Sequence, residues 1–402
     1  MRSLTLALPL ALVACTERPP ALATPEAEAP PAPIAPSWRA ESPVLLPTAD
    51  GASELALIDL NRDGRLDVVV AGRSSLQVLL NSGERGFELT SVPARGEPFG
   101  LAAGDLDADG WPDLAVAYDF ESHVGVFRGD ARGPRFQGKW PTGTGPVSVR
   151  LRDVDGDGRL DLLVGNGSDN VVTVAGALAN GSFDAHPVDG FSQPSSVALA
   201  DFDGDGSEDL AAQVYGGLAF RRGDGHGAFA APERVTIRAG LGAMTPIDLD
   251  HEGPLDLAVT SWGEGPMVLV LHDSTGRRWR ELKVGVEPSD VEAADVDGDG
   301  NTDLVIADHR GERVHVLFND GHAGFERRLE LPTGDQAHRV AVGDLDGDGA
   351  LDVVSVDLNR AQVFYGVRAG TRAATTCAPR GSACEPGLTC CAGSPCTGGS
   401  CR

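Results

Sequence analysis

The chain has 402 residues, a formal net charge of −26 at pH 7 and few aromatic residues. This acidity excludes a generic nucleic-acid-binding protein, which would carry a basic surface. Much of the charge lies in seven repeated acidic loops. Seven divalent cations would offset about 14 negative charges and leave roughly −12, which is an ordinary solvated surface.

The N-terminal residues 1–14 have the pattern of an export signal. Arg2 precedes a short apolar run, residues 4–13, which is too short to span a membrane. Residues 12–15, Leu-Val-Ala-Cys, resemble the lipobox of bacterial lipoproteins, in which the cysteine becomes the lipidated first residue. The resemblance implies a lipid on Cys15 that anchors the protein in a bacterial cell envelope. The alternative is an ordinary cleaved secretion signal, with Cys15 incidental.

Residues 15–42 are rich in Pro, Ala and Glu. Such a segment lacks the apolar content of a core, and its composition predicts an extended linker. No later stretch is long and apolar enough to be a transmembrane helix.

An acidic pattern, D-x-[DN]-x-[DE]-G-x-x-D, occurs seven times after this linker. Successive copies are 46, 48, 48, 47, 47 and 49 residues apart and begin at Asp59, Asp105, Asp153, Asp201, Asp248, Asp295 and Asp344. So regular a period indicates one supersecondary unit repeated seven times, each unable to bury its apolar face alone.

Each repeat contains four short apolar runs divided by Gly, Asn and Asp, as in residues 196–200 before a loop and 303–307 after one. Runs of this length rich in Val and Leu predict strands, and no window shows a sustained helical period. Four antiparallel strands per repeat of about 40 to 50 residues are typical of a propeller blade. The predicted fold is therefore all-β, a seven-bladed β-propeller over residues 43–370.

The two ends of the repeat array predict how the ring closes. The last copy stops after its third run, residues 362–365, while an orphan apolar run, residues 44–46, precedes the first acidic loop. We expect the orphan strand to complete the seventh blade, because closure removes the two open sheet edges.

With these repeats, the chain resembles the FG-GAP/VCBS family, the seven-bladed propeller type also seen in integrin α-subunit heads. The resemblance covers most of the chain. Its motifs are specific for the fold and weak for function, because one scaffold serves many roles.

Alternate oxygen-bearing residues in each loop favour calcium, and Gly at the sixth position permits the sharp turn. In the third loop the ligands we assign are Asp153, Asp155, Asp157, Asp161 and the carbonyl of Arg159. The resemblance implies the corresponding ligands elsewhere: Asp59, Asn61, Asp63, Arg65 and Asp67; Asp105, Asp107, Asp109, Trp111 and Asp113; Asp201, Asp203, Asp205, Ser207 and Asp209; Asp248, Asp250, Glu252 and Asp256; Asp295, Asp297, Asp299, Asn301 and Asp303; Asp344, Asp346, Asp348, Ala350 and Asp352. This gives six or seven calcium ions.

Two alternatives apply to these loops. An EF-hand needs a bidentate Glu at position twelve and flanking helices, whereas here position twelve falls in predicted strands. Empty Asp/Gly turns remain the other interpretation. The fifth loop is the exception in the set, because Glu252 replaces Asp and Pro254 stiffens the position that offers its carbonyl.

A short linker, residues 371–376, leads to a six-cysteine segment, residues 377–402, and an even cysteine set in an exported chain indicates disulfides. Its spacing resembles the knottin pattern, which implies the pairs Cys377–Cys391, Cys384–Cys396 and Cys390–Cys401. Spacing alone permits 15 connectivities. A binding or inhibitory module and a protease-resistant cap both remain open.

The chain contains no G-x-S-x-G, H-E-x-x-H or phosphate-loop motif, so we predict a protein that is not an enzyme. A ligand is expected on the face opposite the acidic loops, where the second-to-third-strand connections carry aromatic and cationic groups: Tyr118, Phe120, His123, Tyr215, Trp262, His309 and Arg310. The leading hypothesis is a binding, adhesion or scaffold protein for a glycan or a protein. A polysaccharide hydrolase or lyase and a purely structural envelope protein are the alternatives.

Overall fold

A computed structural model describes residues 38–368, apart from residues 47, 49–51, 95, 238–239, 264, 274–275 and 358–359. Within this part, the strands form seven four-stranded antiparallel sheets and one two-stranded sheet. None of the described residues belongs to a helix long and apolar enough to cross a membrane.

The first two strands precede the repeats, and four strands follow in each of the first three blades. They are β1 (Trp38–Ala40) and β2 (Val44–Leu46); in blade 1, β3 (Ala52–Ile58), β4 (Asp67–Gly72), β5 (Ser75–Gly83) and β6 (Gly86–Pro93); in blade 2, β7 (Pro98–Gly104), β8 (Asp113–Tyr118), β9 (His123–Arg128) and β10 (Arg135–Pro141); in blade 3, β11 (Pro146–Arg152), β12 (Asp161–Asn166), β13 (Val171–Ala177) and β14 (Phe183–Asp189).

Blades 4 to 6 repeat this order, and blade 7 has three strands from the C-terminal side. They are, in blade 4, β15 (Val197–Ala200), β16 (Asp209–Val214), β17 (Gly217–Arg221) and β18 (Glu233–Thr236); in blade 5, β19 (Leu241–Ile247), β20 (Asp256–Ser261), β21 (Met267–Asp273) and β22 (Gly276–Leu282); in blade 6, β23 (Pro288–Ala294), β24 (Asp303–Asp308), β25 (Arg313–Phe318) and β26 (Arg327–Pro332); in blade 7, β27 (Arg339–Gly343), β28 (Asp352–Val356) and β29 (Ala361–Phe364), followed by β30 (Gly366–Arg368).

The second strand of each blade lies in the core, which explains its continuous apolar sequence. In β4, for example, residues 68–71 are completely buried, because neighbouring blades pack on both faces of the sheet. The first strands of adjacent blades contact one another around the ring, and β27 contacts β3. The predicted all-β, seven-bladed propeller with four-stranded antiparallel blades is thus confirmed.

The predicted closure is also confirmed. Strand β2 pairs antiparallel with β29, placing Val44 opposite Val363 and Leu46 opposite Ala361, so it supplies the fourth strand of blade 7. Leu46 is buried among side chains of blades 7 and 1, while Leu45 faces outward.

The predicted linker, residues 15–42, ends too late. Strand β1 lies inside that range and pairs with β30, which places Trp38 opposite Arg368. Trp38 is completely buried, and its indole Nε1 donates a hydrogen bond to the carbonyl oxygen of Leu351, 2.9 Å away. Although the composition around it is Pro-rich and predicts a linker, Trp38 places this segment in the fold, because it buries a large apolar surface between blades 6 and 7.

Candidate metal loops and distal face

Every acidic loop connects the first strand of a blade to the second. In each blade the residue before the loop pairs with the aspartate at the ninth position, as in Arg152 opposite Asp161. All seven twelfth positions lie inside second strands, so the EF-hand is excluded: Val70, Val116, Val164, Ala212, Val259, Ile306 and Ser355.

Carboxylates from separate positions of these loops converge. In five loops, ligand oxygens of three aspartates lie within 4.8 Å of one another: Asp105, Asp107 and Asp113; Asp153, Asp155 and Asp161; Asp201, Asp203 and Asp209; Asp248, Asp250 and Asp256; Asp295, Asp297 and Asp299. These clusters could hold a metal ion, and their all-oxygen donor set suits a hard cation such as calcium.

Backbone hydrogen bonds shape each loop around the first aspartate. In the third loop, Oδ1 of Asp153 accepts the N–H groups of Gly156 (2.8 Å) and Asp157 (3.1 Å), and Oδ2 accepts that of Gly158 (2.8 Å). Gly158 has φ near +85°, a conformation that favours glycine. The loop is therefore preorganised with its oxygens gathered on one side.

The ninth-position aspartate has a second task that the sequence did not reveal. Asp161 is buried; its Oδ2 accepts the N–H of Val154 (2.9 Å) and its Oδ1 accepts that of Ala177 in the third strand (2.8 Å). The same two bonds recur at Asp67, Asp113, Asp209, Asp256, Asp303 and Asp352. Each of these residues ties its loop to the blade.

Electrostatics at the ninth position favour a cation nearby. The pKa of Asp303 is raised to about 7, chiefly by burial; the carboxylates of Asp299 and Asp295 contribute to the rise, and hydrogen bonds from the backbone N–H groups of Asn319 and Val296 oppose it. Burial likewise raises the pKa of Asp352 to about 7. A bound divalent cation would stabilise the ionised form.

Arginines from neighbouring strands reach the third-position aspartates. Arg85 of blade 1 pairs with Asp346 of blade 7 at 2.8 Å, and comparable pairs are Arg128 with Asp107, Arg222 with Asp203, Arg278 with Asp250, and Arg327 with Asp297. The sequence gives no sign of these pairs: Arg85 and Asp346 are far apart in the chain, and the other arginines follow the loops they contact without a shared motif.

The fifth loop departs from the shared geometry. Gly253 has φ near +148°, whereas sixth-position glycines such as Gly158 lie near +85°. His251 Nδ1 lies 3.2 Å from Asp248 Oδ2. In other loops the corresponding oxygen accepts the N–H of the sixth-position glycine, as Asp201 Oδ2 does from Gly206. Pro254 has no N–H to donate to the residue at position five. Three of the loop's aspartates still converge, so the deviation lies in the backbone that shapes the site.

The connections between second and third strands form the face opposite the loops, here called the distal face. Phe120 is 83% exposed, Tyr215 is 82% exposed and Trp262 is 44% exposed. Phe99, near the start of β7, is also exposed and lines the same cavity as Tyr215 and Trp262.

Two residues predicted for the ligand surface are not on it. Tyr118 is only 2% exposed, and its ring packs 5.5 Å from that of His123, which is also buried. Burial raises the pKa of Tyr118 to about 12. Tyr118 packs in the core between blades 1 and 2, so its position beside an exposed connection does not place it on the surface. His309 is half-buried, and exposed Arg310 lies 2.6 Å from Glu287 through its Nε.

A channel runs through the ring and opens at the distal face. Its volume is about 1370 Å³, and all seven first strands line it. Its wall carries an ion pair between Glu54 and Arg339, with Oε1 and Nε 2.7 Å apart, together with Arg150, Asp290 and Glu292. The pKa of Glu292 is raised to about 8, chiefly by burial, with a contribution from the carboxylates of Asp290 and Glu54 and against the opposing charge of Arg150. Glu292 is exposed to the solvent of the channel, and the walls of the channel surround it with protein.

Several predicted sites lie outside the described residues. These are the lipidation site Cys15, the signal segment and the six cysteines of residues 377–402.

Solved structures with the same fold have diverse functions. BBS1N, from its complex with ARL6DN, matches with a TM-score of 0.62 and 15% identity over 84% of this chain and 99% of that one. An Agrocybe aegerita lectin whose structure concerns recognition of non-reducing terminal N-acetylglucosamine matches at 0.51 and 19% over 70% and 81%. Kuenenia stuttgartiensis hydrazine synthase matches at 0.59 and 15% over 80% and 96%. Identities this low show the fold alone.

The family comparison is more specific. A family model described as FG-GAP-like repeat matches residues 59–116, 105–164, 153–212 and 295–355, which together make up more than half of the chain. Each matched segment begins at the first aspartate of an acidic loop and ends inside the second strand of the next blade. This chain belongs to the FG-GAP-like repeat family.

Proposed function

We propose that this protein is a calcium-stabilised propeller that binds a glycan or a protein through its distal face. The observation that carries the proposal is the set of exposed aromatic side chains on this face: Phe99, Tyr215 and Trp262 line the channel, and Phe120 lies in another connection of the same face. Exposed aromatic groups gathered on one face are typical of ligand-binding surfaces. The related folds of a protein-binding BBS1N and a glycan-recognising lectin are compatible with either ligand.

Calcium is the proposed occupant of the acidic loops, because the donors are oxygens and several carboxylates converge in each cluster. Extracellular-type sites have dissociation constants of about 0.1 to 1 mM. At about 1 mM calcium each site then adds roughly 0.4 to 1.4 kcal/mol of stability, and six sites add about 2 to 8 kcal/mol. This is comparable to the whole stability of a domain.

Removal of calcium tests this part directly. We expect the melting temperature, measured by calorimetry, to fall by about 5 °C or more when EGTA replaces 1 mM calcium, because the loops lose a ligand that binds only the folded chain. Restoring calcium should recover it, whereas magnesium should not, because magnesium demands a tighter octahedral shell. A melting temperature that EGTA leaves unchanged would rule out the calcium role.

Ligand binding is tested with a glycan array and with candidate envelope proteins. We expect the double variant Phe120→Ala and Tyr215→Ala to lose binding, because it removes the two most exposed aromatic groups of the distal face. Phe136→Ala, an exposed aromatic on the outer strand β10, is the matched control. Equal binding by both variants would place the ligand elsewhere, and release of reducing ends from a polysaccharide would favour the enzyme instead.

The envelope location is proposed from the lipobox-like residues 12–15. Expressed in a bacterium, the chain should incorporate a labelled fatty acid and fractionate with membranes. Cys15→Ser should abolish both, because the thiol is the attachment atom. Incorporation of the labelled fatty acid by the Cys15→Ser variant would contradict the proposed lipid anchor.

A further inference from the structure

The second acidic loop has an arginine side chain against its candidate ligands. Arg128 ends strand β9, and its Nη1 donates a hydrogen bond to Oδ2 of the ninth-position Asp113 at 2.5 Å. Its Nε lies 3.4 Å from Oδ2 of the third-position Asp107. Both aspartates, with Asp105, form the set whose ligand oxygens lie within 4.8 Å of one another. Arg128 therefore contacts two of the three carboxylates that would hold a cation.

Groups outside the loop hold the guanidinium in this position. Nε of Arg128 donates to Oε1 of Gln137 in β10 at 2.7 Å, and Nη2 donates to the carbonyl oxygen of Gly181 at 2.9 Å. Gly181 lies between β13 and β14, so this second bond joins blade 2 to blade 3. Only 12% of the Arg128 side chain is exposed. Solvent therefore does little to screen the attraction between the guanidinium and the two carboxylates.

The corresponding position of other blades lacks this contact. It immediately precedes the residue whose N–H donates to the ninth-position aspartate, and it is Gly176 in blade 3 and Arg222 in blade 4. The Arg222 side chain is 74% exposed and lies 3.3 Å from the third-position Asp203. In the described part of the chain, the ninth-position aspartates of the other six loops form no ion pair and accept backbone N–H groups. The contact with the ninth position thus distinguishes the second loop.

The first aspartate of the same loop is incompletely satisfied. In the third loop, Oδ1 of Asp153 accepts two backbone N–H groups. In the second loop, Oδ1 of Asp105 is shielded from solvent and has no hydrogen-bond partner among the described residues, although its Oδ2 accepts the N–H of Gly110 at 2.8 Å. A buried carboxylate oxygen without a partner is unfavourable. A calcium ion lying among the three carboxylates would supply the partner that the arginine does not.

We propose that Arg128 is a tethered competitor for calcium at the second loop, an inference that rests on the calcium role proposed for the acidic loops. Calcium lies about 2.3–2.6 Å from its oxygen ligands, so an ion among these carboxylates would lie close to a guanidinium that contacts two of them. Repulsion between the two positive charges makes the two states exclusive. Calcium binds when Arg128 leaves Asp107 and Asp113, and the guanidinium returns when calcium dissociates.

The competitor gives the second loop two properties. Calcium must break the bonds of Arg128, so this loop binds calcium more weakly than the third loop, where Gly176 offers no competing group. The released guanidinium also leaves the carbonyl oxygen of Gly181, so binding at the second loop removes a contact between blades 2 and 3. Without calcium, Arg128 supplies the positive charge that the buried carboxylate of Asp113 needs.

The test uses the full chain and terbium, a luminescent ion with calcium-like ligand preferences. Trp111 occupies the seventh position of the second loop, and an indole beside bound terbium sensitises its emission. The part of the emission that Trp111→Phe removes, and that excess calcium abolishes, reports this loop, because the substitution keeps the backbone carbonyl. Arg128→Gln should lower the terbium concentration at half-saturation about tenfold or more. Arg222→Gln, the same change of charge at the same strand position of blade 4, should leave it unchanged.

Calorimetry gives a second measurement. In EGTA the Arg128→Gln variant should melt at a lower temperature than the wild type, because the second loop loses its only cation. In saturating calcium the difference should vanish or reverse, since calcium no longer has to displace the guanidinium. A purely structural role of Arg128 predicts the same loss under both conditions.

The outcomes separate this inference from the calcium role itself. Equal half-saturation of the wild type and the Arg128→Gln variant overturns the competitor, while the effect of EGTA on the wild-type melting temperature still tests the calcium role. An equal gain in the Arg222→Gln variant assigns the effect to net charge and also overturns it. If neither the wild type nor the Arg128→Gln variant shows emission that depends on Trp111, the second loop holds no cation and the inference is wrong.

Discussion

At the level of single residues, the acidic loops contain two kinds of aspartate that the motif does not distinguish. Asp161 is buried and accepts backbone N–H bonds at both carboxylate oxygens, so it joins the loop to the second and third strands. Asp155 is exposed, and its Oδ1 accepts only the N–H of Asp157. The first kind should support the fold with or without a metal ion, and the second should matter only when a cation is bound.

Asp161→Asn and Asp155→Asn separate these roles. Asp161→Asn places an amide N–H₂ against a backbone N–H, so we expect the free energy of unfolding to fall by about 1–3 kcal/mol even in EGTA, and by more in calcium because Asp161 is also a candidate ligand. Asp155→Asn keeps the accepting Oδ1. The free energy of unfolding of this variant should therefore stay within about 0.5 kcal/mol of the wild-type value in EGTA and be lower than the wild-type value only in calcium. Urea unfolding measures both. Equal losses in EGTA would show that the two aspartates are equivalent.

At the level of elements, the ring is closed by segments from both ends of the described chain. Strand β2 supplies the fourth strand of blade 7, and β1 pairs with β30 beside it. Trp38 of β1 packs against Val296 and Phe318 of blade 6 and against Phe364 of blade 7. The N-terminal segment thus holds two blades together across the point where the repeats begin and end.

Trp38→Ala tests the contribution of this strand pair. The substitution removes a fully buried indole and its bond to Leu351, so we expect a loss of about 3–5 kcal/mol in the free energy of unfolding, measured in urea. Trp279→Ala, which removes the same side chain from an exposed outer strand, should change it by about 0.5 kcal/mol at most. Comparable effects of the two variants would mean that β1 does not contribute to closure.

The fifth loop should be the weakest of the seven candidate metal sites. Gly253 departs from the usual sixth-position conformation, and His251 contacts the Asp248 oxygen that elsewhere accepts a glycine N–H. We expect native mass spectrometry in limiting calcium to find six ions on the wild-type chain. Asp153→Asn should reduce the count to five, and Asp248→Asn should leave it at six. A seventh ion that Asp248→Asn removes would show that the fifth loop binds as well as the others.

At the level of the whole molecule, the seven-fold period was enough to predict the fold, because each repeat needs neighbours on both sides to bury its apolar strands. Contacts between distant segments were not predictable from one sequence. The pair of Arg85 with Asp346 joins residues of blades 1 and 7, and the rings of Trp262, His309 and His338 come together from three different blades. Tyr118 shows the opposite error, since a residue next to an exposed connection is buried.

The central channel exists only in the closed ring, and it gives the molecule a dependence on pH. Glu292 of blade 6 faces Glu54 of blade 1 and Arg150 of blade 3 across this space. Its folded-state pKa is raised from 4.5 to about 8, so between these values the folded chain keeps a proton that the unfolded chain releases. The contribution of Glu292 to stability is therefore complete below pH 4.5 and is lost as the pH rises through 8.

Glu292→Gln should remove this dependence, because glutamine stays neutral at every pH. We expect the melting temperatures of the variant and the wild type to agree near pH 5 and to diverge toward pH 8.5, with the variant more stable, since only the wild type must then hold a carboxylate beside Asp290 and Glu54. Calorimetry at constant saturating calcium measures this. Glu88→Gln, which makes the same change at an exposed position of the outer strand β6, should follow the wild type throughout. If the Glu292→Gln and wild-type curves remain parallel, the channel carboxylate is ionised across the whole range.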